Sequence, residues 1–222
     1  MHRTLSGAFA LLVALGVQTG APAPARGQGT GVVEGVVKLR LQPPRRIVGR
    51  YPGGPAAARA VQEVPAVVFL KGPVSGTPAR PPTTVPTMAQ RDTAFVPAAL
   101  MVPVGTTVAF PNGDPFFHNV FSYSSSTRFD LGRYPRGETR RVTFDRPGIV
   151  KVYCEVHEAM RAVIVVSENP FHAVVDAQGR FRIPEIPEGT YTFVVWHPDL
   201  DAVERSVRVL AGGTVRLDVE LR

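Results

Sequence analysis

The chain reads as a succession of short apolar runs broken by turn residues. Residues 32–41 are β-branched and partly alternating, as a strand requires, and a second apolar run covers 64–70. From about 87 to 167 the pattern recurs at short intervals: 100–104, 106–110, 119–122, 140–144, 149–154 and 162–166 all carry strand-type residues. Gly105 joins the first two of these, and Pro147-Gly148 marks a turn before 149–154. Beyond 171 the same style continues as a separate unit. Asp176-Ala177-Gln178-Gly179 is a hairpin turn signal, Phe181, Ile183 and Ile186 lead to Pro187-Glu188-Gly189, 191–196 is strongly β-prone, and Gly212-Gly213 closes a last hairpin. No segment keeps a helical period for more than a turn or two, and no internal repeat is visible. An all-β protein of sandwich type is predicted.

Composition agrees with this. Of 222 residues 44% are hydrophobic, enough for a packed core, and 21 Gly with 22 Pro work against helices. The interval 72–87 holds five prolines and is expected to be a surface linker. The formal charge is +7, almost all from arginine, with only three lysines (Lys38, Lys71, Lys151). The arginines are scattered and build no stripe, which argues against nucleic acid as a partner and for a solvated basic surface that favours acidic ones. Residues 1–25 have the pattern of an export signal: Arg3, an apolar stretch at 8–17, and a small-residue cleavage site at Ala23-Pro24-Ala25. That stretch is about half the ~20 residues a membrane span needs, so a periplasmic or secreted protein without a membrane span is expected.

Export gives the cysteine count meaning. Cys154 is the single cysteine. A lone thiol in an oxidising compartment must be buried and inert, paired with another chain, or occupied by a metal. It begins the run Cys154-x2-His157-x2-Met160, and His118 lies 36 residues upstream. A thiolate and two imidazoles with a weak thioether is the donor set that suits copper: soft sulfur for Cu(I), imidazole for both oxidation states. Period two puts Cys154 on the inward face with Val150 and Val152, and Glu155 and Glu158 call for solvent, so the strand should end there. A tight loop would then fold His157 and Met160 back over the sulfur. Phe116, Phe117, Phe121 and Met160 are expected to dry the site. Taken singly, Cys154 is equally well a buried core thiol, His118 a hydrogen-bonded strand residue and Met160 core filling; all four in this order favour a metal. His2 leaves with the signal, and His172 and His197 lack partner spacing and are expected to be structural.

Residues 96–166 resemble a cupredoxin, the type 1 copper group that includes plastocyanin, amicyanin and pseudoazurin. The matching stretches are Val102-Pro103-Val104-Gly105-Thr106-Thr107-Val108-Ala109-Phe110-Pro111-Asn112, then His118-Asn119-Val120-Phe121, Phe144 to Gly148, and the Cys154–Met160 loop. The short loop is most similar to amicyanin. The resemblance implies a Greek-key β-sandwich, His118, Cys154 and His157 as strong copper ligands, Met160 as the axial one, Asn119 as a hydrogen-bonded brace, and His157 as the electron port. Asp176-x2-Gly179-x-Phe181 through Gly189-x-Tyr191 resembles the carboxypeptidase regulatory-like, or transthyretin-like, small β-sandwich, and Gly31-Val32-Val33-Glu34-Gly35-Val36-Val37 resembles the first strand of that family. About 50 residues alone make a marginal sandwich. Residues 30–70 are therefore expected to pair with 168–222, with a copper domain at 88–167 inserted between them behind a linker at 71–87.

The function expected is that of an exported, monomeric type 1 copper protein, not an enzyme, that carries single electrons between redox protein partners. The alternative is a copper-binding or delivery module without electron transfer. A closed Cys-His-His-Met set favours redox cycling, whereas delivery favours open Met- or His-rich motifs. A multicopper oxidase or reductase would need more histidines than the four left after signal removal.

Overall fold

The computed structural model describes residues 29–41 and 61–222; the expected export signal at 1–25 lies outside the described residues. All of the regular structure described is strand. β1 (Thr30–Leu39) and β2 (Val67–Leu70) come first, then a hairpin of β3 (Ala89–Arg91) and β4 (Ala94–Val96). The central block holds β5 (Ala99–Pro103), β6 (Thr106–Pro111), β7 (His118–Tyr123), β8 (Arg128–Tyr134), β9 (Thr139–Phe144), β10 (Gly148–Tyr153) and β11 (Arg161–Ser167). The last third holds β12 (His172–Val174), β13 (Arg180–Pro187), β14 (Gly189–His197), β15 (Leu200–Val209), β16 (Thr214–Arg216) and β17 (Val219–Leu221).

The strands form four layers separated by three apolar cores. The outermost sheet is β13-β1-β16, with β17 also paired to β1. Its Val33, Phe181 and Ile183 pack against Val68, Phe193 and Val195 of the next sheet, β12-β2-β14-β15. Both sheets combine strands from the two ends of the chain: β1 pairs with β13, β16 and β17, and β2 with β12 and β14. Gly35 permits the close packing beside β1, because a Cβ there would meet the Leu217 carbonyl at 2.0 Å.

The other face of the second sheet supplies Val67, Val194 and Trp196, which pack on Ala99, Val163 and Val165 of the third sheet, β5-β11-β10-β7-β8. The far side of that sheet carries Val102, Val120, Val150, Val152 and Ile164, which meet Val108, Phe110 and Phe144 of the β6-β9 pair and Phe95 of β4. Successive residues of β11 thus enter different cores: Ala162, Ile164 and Val166 on one side, Val163 and Val165 on the other. The unbroken apolar run 162–166 follows from that, since a strand covered on both faces has no position for water.

Two details correct or refine the sequence expectations. Gly105 (φ +83) joins β5 to β6 at a corner between sheets, because β5 pairs with β11 and β6 with β9. The Ser- and Arg-rich stretch after Ser122 contains β8, whose polar residues face outward while it pairs antiparallel with β7. The prolines at 78, 81, 82 and 86 lie in non-strand, solvent-facing chain, although Val74 is buried in the outer core.

Polar contacts also cross between the second and third sheets. The Arg161 guanidinium donates to both carboxylate oxygens of Asp199 at 2.6 Å. Its Nε donates to the Gln62 carbonyl (2.9 Å), while the Gln62 amide donates to Ala159 O (2.9 Å). The Gln62 side chain then closes both backbone groups of Phe95, giving Nε2–H to its carbonyl (2.6 Å) and taking its amide (3.0 Å). The segment just before β2 therefore straps the loop between β10 and β11 to the β3–β4 hairpin.

A fragment of residues 168–222 lacks both β1 and β2, the partners of β13, β16, β17, β12 and β14. It should not unfold cooperatively in urea, and a stable fragment with a sharp transition would contradict the pairing as a requirement for stability. The hydrogen bonds from Arg161, ahead of burial, hold the Asp199 carboxyl below the ordinary carboxylate range. A depressed folded pKa gives stability that is complete above the unfolded value of about 3.9 and is lost as pH falls through the lower folded value. Asp199→Asn should therefore cost below about 1 kcal/mol at neutral pH, the pair being partly exposed, and nothing at the acid end, read from urea unfolding as a function of pH.

Candidate metal centre

Strands β10 and β11 are an antiparallel pair closed by Tyr153 opposite Arg161, and residues 154–160 form their connection. Along β10, Val150 and Val152 are buried and Lys151 is exposed; the same alternation carries Cys154 inward, 3% exposed. Glu155 and Glu158 face solvent, as expected. The Met160 amide donates to the His157 carbonyl (2.9 Å), a turn that returns the chain to β11. Met160 is fully buried in the same core as Cys154.

His118 enters from the neighbouring strand β7 and is fully buried. Its Nδ1 lies 3.6 Å from Cys154 Sγ and 3.1 Å from His157 Nδ1. One donor atom each from His118, Cys154 and His157 fall within 4.8 Å of one another, and theirs is the one such group of three or more His, Cys, Asp or Glu among the described residues. Three donors around a metal at bonds of about 2.0–2.3 Å are about 3.5–4 Å apart, so the triangle is of the right size for one ion. One thiol and two imidazoles, with no carboxylate among them, also match copper in softness.

The tautomer of His118 follows from its other nitrogen. Nε2 lies 2.8 Å from Asp114 Oδ2, a carboxylate that can only accept, so Nε2 carries the proton and Nδ1 offers its lone pair to the donor triangle. Asp114 also accepts the amides of Asp92 (2.7 Å) and Thr93 (2.9 Å). Burial pushes its pKa up, but the Thr93 amide, the His118 ring and the Asp92 amide outweigh that and hold the carboxyl below its ordinary range. Asp92 (φ 54) and Thr93 (φ 58) form the left-handed tip of the β3–β4 hairpin, so Asp114 ties that tip to the ring.

Two asparagines hold the surrounding backbone. Asn112 accepts the Asp114 amide (2.9 Å) and donates to the carbonyls of Phe116 (2.9 Å) and Tyr134 (3.0 Å), which fixes the approach to His118. Asn119 Oδ1 accepts the Glu155 amide (2.6 Å), joining β7 to the residue after the cysteine. Tyr134, opposite His118 on β8, is fully buried, accepts from Gln90 (2.5 Å) and donates to Phe110 O (3.0 Å); burial pushes its phenol pKa far up, so it stays neutral.

Of the aromatic residues expected to dry the site, only Phe116 packs on the imidazoles, with centroids 5.1 Å from His118 and 5.3 Å from His157. Phe117 is exposed, and Phe121 stacks with Tyr123 and Tyr153 on the outer face of β7, because odd positions there point away from the core. His172 and His197 lie in the second sheet, on β12 and at the end of β14, outside the donor triangle. Burial lowers the pKa of each, and His197 Nδ1 accepts the Asp199 amide (3.2 Å). Sequence reasoning missed Asp114 and Gln62. A carboxylate four residues before His118 inside a turn-rich loop is the signal for the first; nothing local marks the second.

Comparison with known proteins agrees with the geometry. Residues 83–167 match the family of copper binding proteins described as plastocyanin/azurin, and residues 159–222 match the carboxypeptidase regulatory-like domain. The chain is 36% identical over 88 residues to chloroplastic plastocyanin of Pisum sativum, covering 34% of this chain and 52% of that protein, so it spans about half the length of this relative. Among solved structures it is similar to a Cu-containing nitrite reductase from Thermus scotoductus SA-01 (31% identity, TM-score 0.37, 44% of this chain and 25% of that one). It is also similar to a purple cupredoxin from Nitrosopumilus maritimus (24%, 0.34, 37% and 99%) and to a reduced amicyanin variant (19%, 0.36, 45% and 98%). The chain thus contains a stretch that matches the plastocyanin/azurin family of copper binding proteins and, overlapping its end, a stretch that matches the carboxypeptidase regulatory-like domain.

Proposed function

We propose that this protein is an exported type 1 copper protein that carries single electrons between redox proteins, with His118, Cys154 and His157 as strong ligands and Met160 as the weak axial one. The observation that carries the reading is the convergence of one thiol and two imidazoles, two of the three residues buried, on a point large enough for a single ion. Bound copper supplies a one-electron couple whose potential responds to the axial ligand and to hydrogen bonding around the sulfur. The protein supplies stiffness: the loop is closed by the β10–β11 pair, braced by Asn119, and strapped at Ala159 by Gln62.

His157 is half-buried at a rim where Phe116, Phe117 and Val156 are exposed, and this apolar rim is the surface on which a redox partner would dock. The reading is that of an electron carrier and not of an enzyme. It includes export through residues 1–25 to the periplasm or beyond, a monomer, and no nucleic-acid partner. No helix among the described residues is long and apolar enough to cross a membrane. We further propose that 88–167 is inserted, behind a linker at 71–87, into a sandwich made of 30–70 and 168–222, a division supported by the pairing of β1 and β2 with the last strands.

Copper-loaded protein should show an intense blue thiolate charge-transfer band, narrow copper hyperfine splitting in EPR, and a reversible one-electron wave. Colourless folded protein would refute the site, and loss of copper on reduction would point to delivery instead. Cys154→Ser should abolish the colour. Met160→Leu should keep it and raise the potential, checked by voltammetry.

A further inference from the structure

Asp114 is a buried carboxylate with three donors and no arginine or lysine partner: two backbone amides and the ring of His118. Its side chain is 6% exposed and that of His118 is 0% exposed, so the contact is closed to water. Capping the β3–β4 turn accounts for the two amide contacts, one on each carboxylate oxygen, but not for the contact with the ring. The third contact is of another kind, because a full negative charge sits against the outer edge of an imidazole whose inner edge faces the donor triangle. A carboxylate behind a ligating histidine fixes which nitrogen is free and makes that nitrogen more basic.

We infer that Asp114 is the positioning residue of the metal centre, a carboxylate that fixes His118 with Nδ1 turned inward and biases the site toward the oxidised metal. The inference rests on the ligand reading proposed above. The Nε2–H of His118 is held by Oδ2, the ring cannot rotate without breaking that bond inside a water-free pocket, and the carboxylate charge is transmitted through the ring to Nδ1. A dicationic ion gains more from that charge than a monocationic one, so the oxidised state is favoured and the potential is held down. The hairpin amides of Asp92 and Thr93 serve the same end by holding the carboxylate still.

The test is Asp114→Asn in the full copper-loaded chain. Asparagine keeps the shape and one oxygen acceptor, and removes the charge together with the second acceptor, since its NH2 cannot accept from the donors on that side. Cu(II) affinity should fall about 10- to 100-fold, the usual effect of losing such a partner, with Cu(I) affinity less affected. The potential should rise by about 59 mV for every tenfold difference between the two losses. A folded, blue variant with unchanged potential and Cu(II) affinity would overturn the inference and leave Asp114 as a turn cap. The wild type gives an independent reading that does not depend on the variant folding. In the copper-free chain at alkaline pH, nitrogen-resolved NMR of the ring should show the proton of His118 on Nε2; a proton on Nδ1 would overturn the inference. If the wild type takes up copper without a blue band, the ligand reading fails while the tautomer measurement still stands, so the two failures are distinguishable.

Discussion

The structure depends most on the burial of β11 on both faces. Its odd and even residues enter different cores, so the strand that follows the metal loop is held by two sets of apolar contacts at once. Each fully buried Val or Ile side chain contributes about 1.5–3 kcal/mol, and the four consecutive ones at 163–166 fix the strand against both rotation and register slip. The two family matches overlap at 159–167, which is this strand and the end of the loop before it. The two matches therefore meet on this strand.

That constraint reaches the metal centre through short connections. The loop 154–160 leaves β10 and returns to β11, so both of its ends are pinned in the sheet. The polar residues around it are paired in turn: Asn112 with the chain before His118, Asn119 with the Glu155 amide, Asp114 with the ring and the hairpin tip. The bond between Asp114 and the ring is buried and the most costly to break, because a buried group left unpaired costs about 1–3 kcal/mol, while the bonds of Asn112 to Phe116 and of Asn119 to Glu155 are partly buried. The donor atoms are thus held at their separations by the protein itself, the condition under which a change of oxidation state moves little.

Much of this was legible in the sequence. The alternation Val150, Val152, Cys154 gave the inward direction of the thiol, and the spacing to His157 and Met160 gave the loop. The all-β class could be read from residue patterns, since strands of a sandwich write their period directly into the chain, and the two families from the resemblance of particular motifs. What could not be read depends on distant partners. The polar strand β8 looks like a loose insertion because only its pairing with β7, not its own hydrophobicity, makes it a strand. Phe121 lies on the outer face because the strand starts at His118, and a single residue of phase decides the face. Asp114 acquires its meaning from Asp92 and Thr93, some twenty residues away, and Gln62 from the hairpin and loop it bridges.

The stacking of four layers on three cores has a mechanical consequence. Among the described residues, packed side chains connect the core below His157 to the outermost sheet through the two cores between them.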